Sequence, residues 1–363
     1  MFKSRPHELT FIVPALQEPA HSRSLINRSA ILKFMNRGAR LRNGFDTVEQ
    51  ALLSVLGQPS VAASEVPAAT CTFVDDTGEE IFPVTRVDPV HVRAEPDHAR
   101  LHAAAAIALQ DSESEQLVEA LNEQFRDRGL TFTAGEQHRW YLTGINGADL
   151  KTKPLPQVAD RNMVGFITAN EHPQHWRQLL TEIQMLLHDH PVNTKRLEQG
   201  LMPVNSLWCW GGHPLRALTL PKAIRVYADD AFARGLARLS AFKTFPVLEA
   251  KARLGSCSQI VCMRSLENEL LKQAGDDEYS EMLHMPVSGI DANTRAGSDG
   301  DARQSIEWLD NFLRDAQAAL LKGRLSAITL IPCNGIAYRL VRRDLIRFWS
   351  TPWSRRETPA AIQ

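Results

Sequence analysis

The spacing of hydrophobic residues predicts short buried strands that alternate with helices. An almost unbroken apolar run over 9–16 is typical of a strand buried on both faces. Later in the chain, strand-like runs such as 206–210 and 327–331 alternate with helical patterns such as 302–321. This alternation is typical of helices packed on a largely parallel sheet, so we expect the α/β fold class.

Two further helices are predicted from spacing and end signals. The stretch 173–188 carries apolar residues at helical spacing, and Pro191 follows its end. The stretch 46–56 begins with Asp46 as a candidate N-cap and has Glu49 three residues later, which is the pattern of a capping box.

The pattern changes between residues 67 and 147, where short strands surround one helix. The helix is predicted over 113–127. The strands are predicted at 70–74, 90–94, 130–133 and 139–142. Strands gathered around one helix favour a small α+β unit inserted in a larger fold.

A proline-containing segment, 151–156, is expected to be the linker that ends this unit. We therefore predict an α/β core formed by 1–66 and 157–363, and an inserted α+β unit at 67–156.

Composition restricts the class of protein. The chain has 363 residues, of which 44% are hydrophobic, with 41 Lys and Arg against 42 Asp and Glu. These values are typical of a globular protein and exclude collagen-like, coiled-coil and largely disordered chains. A net charge of −1 provides no basic surface for phosphate backbones, so we expect no nucleic acid among the partners.

Membrane insertion and export are not expected either. The longest apolar runs are far shorter than the roughly 20 residues that cross a bilayer. The run near the N-terminus ends at Pro14, so we interpret it as a first strand and not as a signal peptide. Five cysteines without a CxxC pair suit buried thiols in a reducing compartment, so the expected location is cytoplasmic.

The densest group of unusual side chains occurs in 184–193 and 205–212. The candidate ligand-binding residues are His190, Asn193, Asn205, Trp208, Trp210, Gly211 and Gly212. Glycines permit close backbone approach, tryptophans provide flat walls, and amide and imidazole groups can orient a ligand. The alternative is structural, because the same residue types cap helices, hold turns and pack in cores. The sequence leaves both interpretations open.

Histidines near this group raise the question of a metal site. Suitable ligand types are present, but their spacing matches no closed zinc motif; they are His172, His175, His188, His190 and His213, with Cys209. The signatures of zinc proteases, P-loop NTPases, Rossmann dehydrogenases and α/β-hydrolases are absent. The motifs therefore predict neither a metal nor a cofactor.

A second candidate site is the segment around 88–93. On a strand over 90–94, His91 and Arg93 would point to the same face, with Asp88 at the entry to the strand. An acid, an imidazole and a guanidinium on one face could bind an anionic ligand. A salt-linked edge of a half-exposed strand would give the same pattern.

The order of these motifs resembles a known bacterial family. The motifs that carry the resemblance are Leu9-Thr-Phe-Ile-Val-Pro14, Asp88-Pro-Val-His91, Arg139-Trp-Tyr-Leu142, His190-Pro-Val-Asn193 and Asn205-Ser-Leu-Trp-Cys-Trp-Gly-Gly212. They resemble the RpfE-type regulatory proteins, a family also described as phosphoglycerate mutases. The His-Pro-Val-Asn region is similar to the cofactor-independent phosphoglycerate mutases of the archaeal type.

This resemblance implies the alkaline phosphatase superfamily, with a three-layer α/β sandwich and an inserted α+β domain. It also implies two divalent metals held by Asp and His, one Asp standing at the end of the first strand. Here that strand ends with Pro14 and Ala15, and no Asp-x-x-Gly-His motif occurs.

The leading hypothesis is therefore a catalytically diverged phosphoglycerate-mutase-like protein. It would bind a small anionic metabolite or a protein partner in a regulatory role. The alternative is an active cofactor-independent phosphoglycerate mutase or phosphatase that uses a divalent metal such as manganese for phosphoryl transfer. A purely structural or assembly protein is a third hypothesis, which predicts a large exposed apolar patch and no polar pocket.

Overall fold

The structure is a computed structural model that describes residues 7–14, 30–42, 44–58, 61–94, 99–159, 173–218, 220, 224–253, 257–263, 292–346 and 357–358. The strands are β1 (Glu8–Ile12), β2 (Ala39–Arg42), β3 (Val84–Ala94), β4 (Ala99–Ala103), β5 (Thr131–Ala134), β6 (Trp140–Thr143), β7 (Ser206–Trp210), β8 (Ile224–Ala228), β9 (Thr244–Phe245), β10 (Ser258–Cys262), β11 (Ala327–Ile331), β12 (Ile336–Val341) and β13 (Glu357–Thr358). The helices are α1 (Ala30–Arg37), α2 (Val48–Val55), α3 (Ala68–Thr77), α4 (Asp111–Phe125), α5 (Leu155–Val158), α6 (Gln174–Asp189), α7 (Pro191–Glu198), α8 (Ala231–Leu239), α9 (Ala292–Leu321) and α10 (Arg342–Ile346).

The first of two compact units, the core unit, comprises Met1–Ser60, Leu218–Ala233 and Phe242–Gln363. Its eight-stranded sheet has the order β13-β2-β12-β11-β1-β10-β8-β9. The central strand β1 is parallel to β10 and β11, and β8 is parallel to β10, whereas β12 is antiparallel to both of its neighbours. The predicted α/β class is therefore confirmed, with an antiparallel edge that the sequence did not indicate.

Helices cover both faces of the core sheet. Phe11 of β1 packs edge-on against Phe312 of α9, with ring centroids 5.2 Å apart, and Phe34 of α1 joins the same cluster. The next residue, Ile12, points to the opposite face and is also fully buried, where α2 contacts β1. Burial on both faces explains why the described part of this run, 9–14, is almost continuously apolar.

The capping box of α2 is one residue later than predicted. Thr47, and not Asp46, is the N-cap, and its Oγ1 accepts from the N–H of Gln50 at 3.2 Å. Gln50 Oε1 in turn accepts from the N–H of Thr47 at 3.2 Å. Both pairs of residues fit the capping-box pattern, so the sequence could not discriminate between them.

The second unit comprises Val61–Ala217 and Arg234–Ala241. Its five-stranded sheet is organised around β3, which pairs antiparallel with β6, β4 and β7. Arg86 on β3 lies opposite Tyr141 on one side and opposite Trp210 on the other. β6 and β7 therefore flank β3, and residues distant in sequence face one another across it.

Helices α4 and α6 pack on one face of this second sheet. Leu117 of α4 and Ile183 of α6 belong to the same buried cluster as Val87 of β3 and Leu207 of β7. Side chains of the opposite face, such as Tyr141, form a separate cluster with α3.

Helix α3 occupies a region where the sequence predicts a strand at 70–74, so that prediction is wrong. β-branched residues suggested the strand, but Thr72 Oγ1 donates to the carbonyl oxygen of Ala68 at 2.8 Å, inside the helix. The helix ends at Gly78, whose φ is 75°. Its burial against Tyr141 outweighs the β propensity of its residues.

The second unit is longer than the inserted segment predicted at 67–156. Residues 157–217 were assigned to the core, but β7 pairs with β3 and α6 packs on the same sheet. The pairing of β7 with β3 joins residues far apart along the chain, and no local pattern indicates it.

Among the helices that the structure describes, none is long and apolar enough to cross a membrane. All five cysteines are buried, and none forms a disulfide.

Candidate functional site

Asn193 and Asn205, two of the predicted ligand contacts, use their side-chain amides on the protein's own backbone. Asn193 Oδ1 accepts from the N–H of Val204 at 2.9 Å, and its Nδ2 donates to the carbonyl oxygens of Val204 and Leu187, both at 2.7 Å. Asn205 Oδ1 accepts from the N–H of Val92 at 2.7 Å, and its Nδ2 donates to the Val92 carbonyl oxygen at 2.9 Å. Both amides thus complete backbone pairing beside β7.

His190 caps a helix. It is the N-cap of α7, and its Nδ1 accepts from the N–H of Val192 at 3.2 Å. An acceptor Nδ1 requires the neutral imidazole, which carries its proton on Nε2. Burial favours the same neutral form by lowering the pKa of His190.

The two tryptophans of the predicted patch are buried, each only 4% exposed. Trp208 Nε1 donates to the carbonyl oxygen of Lys153 at 2.9 Å. Trp210 Nε1 donates to Asp88 Oδ2 at 2.7 Å. Their indoles therefore pack within the second unit and satisfy internal acceptors.

The glycine pair permits close contacts within the protein. Gly211 has a φ of 68°, its carbonyl oxygen accepts from the N–H of Ala69 at 3.0 Å, and an added Cβ would lie 3.0 Å from the Cβ of Ala68. A Cβ on Gly212 would lie 2.8 Å from Thr85 Oγ1 and 2.9 Å from the backbone of Gly147. Chain segments of the second unit occupy the space beside both glycines.

Asp88 is the centre of a buried ion pair. Its Oδ1 accepts from Arg86 Nε at 2.9 Å and Nη2 at 2.6 Å, and from the N–H of Trp140 at 3.3 Å. The Arg86 guanidinium lies 5.1 Å from the ring centroid of Trp210 and 5.5 Å from that of Tyr141. Asp88 is 2% exposed, so its carboxylate is satisfied internally.

A second buried acid continues this polar cluster. Tyr141 Oη donates to Asp76 Oδ2 at 2.6 Å, and Arg139 Nη2 donates to Asp76 Oδ1 at 2.5 Å. Burial raises the pKa of the Tyr141 phenol, which therefore stays a neutral donor. Burial also raises the pKa of Cys209, and the nearby charge of Asp88 adds to the effect, so this thiol is not an activated nucleophile.

Four basic residues, here called the basic quartet, face one another on β3 and β4. His91 lies directly opposite His102, and Arg93 lies directly opposite Arg100. The two imidazole centroids are 6.2 Å apart. Direct cross-strand partners and residues two apart on a strand share a face, so all four side chains belong to one side of the hairpin.

Exposure decreases along the basic quartet from the arginines to the histidines. Arg93 is exposed, His91 and Arg100 are half-buried, and His102 is buried. His91 Nδ1 donates to the carbonyl oxygen of Pro203 at 2.8 Å. Burial lowers the pKa of His91, and the positive charges of His102 and Arg93 act in the same direction, against the effect of that hydrogen bond.

Asp88 does not share a face with His91 and Arg93, although the sequence placed it at the entry to their strand. It stands three residues before His91, an odd spacing that puts the two side chains on opposite faces of β3. The acid is paired with Arg86 instead.

The sequence reasoning missed Arg86, Arg100 and His102. Arg86 precedes Asp88 by two residues and so shares its face. The order His91-x-Arg93 followed by Arg100-x-His102 is mirrored, which is the arrangement that a hairpin brings into register. That mirrored order was the available signal.

An open cleft of about 540 Å³ lies beside helix α6 in the second unit. Of the predicted contacts, Asn205 lines it. Its other lining residues are Val92, Thr181, Gln184, Met185, His188, Asp189 and Ser206. Among the described residues, Asn205 is therefore the one predicted ligand contact that lines this cleft. Trp208 and Trp210 are buried in the fold instead.

The described residues do not assemble the donor set of a metal site. Across the described ranges, no group of three or more His, Cys, Asp or Glu side chains could hold an ion. His172 lies outside those ranges. At the end of β8, Asp230 Oδ1 accepts from the N–H of Ala233 at 3.0 Å, and its Oδ2 lies 3.3 Å from Cys262 Sγ.

Comparison with known proteins gives a family similarity for part of the chain. Residues 83–193 match the family model of 2,3-bisphosphoglycerate-independent phosphoglycerate mutase. The mutase of that name from Methanosarcina barkeri is 25% identical over 151 residues, 36% of this chain and 38% of the relative. Phosphoglycerate mutase 2 of the same type from Methanothermobacter thermautotrophicus is 24% identical over 216 residues, 59% of this chain and 52% of the relative.

These matches thus span about two fifths to one half of the relatives' lengths. A solved cofactor-independent phosphoglycerate mutase from Thermoplasma acidophilum aligns over 93% of this chain and 90% of its own, with 14% identity and a TM-score of 0.41. The matched segment 83–193 lies wholly within the second unit. In that unit the chain is similar to the 2,3-bisphosphoglycerate-independent phosphoglycerate mutases.

Proposed function

We propose that this protein is a catalytically diverged, phosphoglycerate-mutase-like protein that binds a small anionic metabolite in a regulatory role. The observation that carries the proposal is the match of 83–193 to the mutases, because it falls within one folded unit. The name of that family suggests the ligand class, a phosphorylated three-carbon acid such as phosphoglycerate.

The end of the central strand of the core unit supports the diverged role. The family resemblance implies a metal-binding Asp there, but Val13 and Pro14 follow β1. At the end of neighbouring β8, Asp230 accepts from the N–H of Ala233, near the start of α8. The described residues that follow β1 carry no carboxylate, and Asp230 is engaged at the start of α8, so we derive no catalytic step through a metal.

The second candidate is an active, metal-dependent phosphoglycerate mutase, which the same family match favours. Its test is a coupled assay for conversion of 3-phosphoglycerate to 2-phosphoglycerate with added manganese. Turnover at enzyme-like rates would replace the diverged role with this candidate.

The binding proposal is tested by thermal unfolding of the full chain with and without 3-phosphoglycerate. A ligand that binds only the folded protein stabilises it by about 2.7 kcal/mol at a concentration 100 times its Kd. We expect a saturable rise in Tm with 3-phosphoglycerate and none with glycerol or lactate, which lack the phosphate. An unchanged Tm at millimolar 3-phosphoglycerate would contradict the proposal.

A further inference from the structure

We infer that the basic quartet is an anion-binding site, in which a phosphate group lies between the two facing pairs of basic residues. The assignment of phosphoglycerate as its occupant rests on the proposed function. The site itself rests on the pairing of β3 with β4.

The argument begins with the register. Like charges directly opposite each other on neighbouring strands are destabilising. The hairpin nevertheless places the guanidinium-bearing Arg93 directly opposite Arg100, beside the facing imidazoles of His91 and His102. A bound anion would offset this repulsion, and the Arg93 guanidinium can donate two parallel hydrogen bonds to one phosphate.

Two side chains of the basic quartet have nitrogen atoms that form no hydrogen bond with the described part of the chain. Arg93 forms no ion pair or hydrogen bond with any described residue. His91 donates to Pro203 through Nδ1, and its Nε2 forms no hydrogen bond with a described residue. The Arg93 guanidinium can therefore donate to a ligand without breaking a bond within these ranges. His91 Nε2 donates only from the protonated imidazole, the form that a bound anion would favour.

The dimensions favour a small anion. Cross-strand neighbours have Cβ atoms about 5 Å apart, and residues two apart on one strand are separated by about 7 Å. This frame accommodates one phosphate with a short carboxylate. Because Arg93 is exposed and His102 is buried, the ligand would enter from the arginine end.

The test is calorimetric titration of the full chain with two probes, 3-phosphoglycerate and inorganic pyrophosphate. The principal variant is Arg93→Met. Because Arg93 is exposed, removal of its guanidinium should not affect folding. Arg93→Lys keeps the charge, and His91→Gln removes the imidazole. Arg126→Met is the matched control, since Arg126 is also exposed and in the same unit but outside the basic quartet.

We expect both probes to bind the wild type, and Arg93→Met to weaken both by about tenfold, the size of one charge-assisted contact. Arg93→Lys should retain most of the affinity, and Arg126→Met should retain all of it. Thermal unfolding of each variant verifies that the fold is intact.

The outcomes separate this site from the proposed function. Binding of 3-phosphoglycerate that Arg93→Met and His91→Gln leave unchanged would overturn the site and leave the proposed function standing. Binding of pyrophosphate alone, weakened by Arg93→Met, would support the site and overturn phosphoglycerate as its ligand. Failure of both probes to bind the wild type would overturn both.

Discussion

The side chain of Asn205 pairs with the backbone of Val92 as a strand residue would. Its Oδ1 accepts from the Val92 N–H and its Nδ2 donates to the Val92 carbonyl oxygen. Asn122 makes the same two bonds with Phe132 on β5, where Oδ1 accepts at 2.7 Å and Nδ2 donates at 2.9 Å. A side-chain amide carries its acceptor and its donors on separate atoms, so it can satisfy the N–H and the C=O of one residue together.

Asn205→Asp is expected to destabilise the protein, because a carboxylate cannot donate to the Val92 carbonyl oxygen. The expected loss is about 1–3 kcal/mol in the free energy of unfolding, measured by urea denaturation. Gln124→Glu is the matched control, since Gln124 is exposed on α4. Unchanged stability with weakened 3-phosphoglycerate binding would instead make Asn205 a ligand contact.

Asp88→Leu should be strongly destabilising, because it leaves the guanidinium of Arg86 buried without its partner. Removing one member of a buried pair typically costs about 3–5 kcal/mol. The double variant Asp88→Leu with Arg86→Met should recover much of this loss, because no charge then remains buried. A double variant as unstable as the sum of the two single variants would contradict this account.

Gly211→Ala should lower the unfolding free energy more than Gly200→Ala. Both residues have positive φ, 68° and 74°, so both substitutions carry similar backbone strain. Only the Cβ on Gly211 meets a neighbour, Ala68, whereas the Cβ on Gly200 meets nothing within 4 Å. Overpacking should add about 1–3 kcal/mol, measured by urea denaturation. Equal losses of unfolding free energy in the two variants would mean that the Gly211 backbone does not pack closely against α3.

His190 should make stability depend on pH. Its pKa is lower in the folded protein than in the unfolded chain, so the unfolded chain binds more protons as pH falls. The contribution of neutral His190 to the free energy of unfolding is therefore present above pH 6.5, the ordinary pKa of histidine. It is lost as the pH falls through the pKa of His190 in the folded protein.

His190→Asn supplies the comparison, because asparagine also caps helices but does not titrate. Urea unfolding at about pH 8 and about pH 5 should show the wild type losing more stability than this variant. A parallel loss in both proteins would mean that protonation of His190 does not disturb the cap.

Local signals predicted much of the fold. The strands at 206–210 and 327–331 were predicted with the bounds that the structure has, because each is a short apolar run. The strand predicted at 70–74 is a helix, since burial against Tyr141 outweighs local propensity. The pairing of β3 with β7 depends on contacts far apart along the chain, which periodicity does not report.

The candidate site residues divide in the same way between what local sequence indicates and what depends on strand pairing. Asn205 is a candidate by its residue type, but only the register with Val92 gives its amide a structural partner. His91 and Arg93 were found as a pair on one strand face, whereas Arg100 and His102 join them through the β3–β4 register. Residue types indicated the chemistry, and strand pairing determined which side chains meet.

Equilibrium dialysis with labelled 3-phosphoglycerate and manganese tests the central claim most directly, because one sample reports both binding and conversion. The account predicts saturable retention of the label, with all of the recovered ligand still 3-phosphoglycerate. Recovery of 2-phosphoglycerate at enzyme-like rates, or no retention at all, would contradict it.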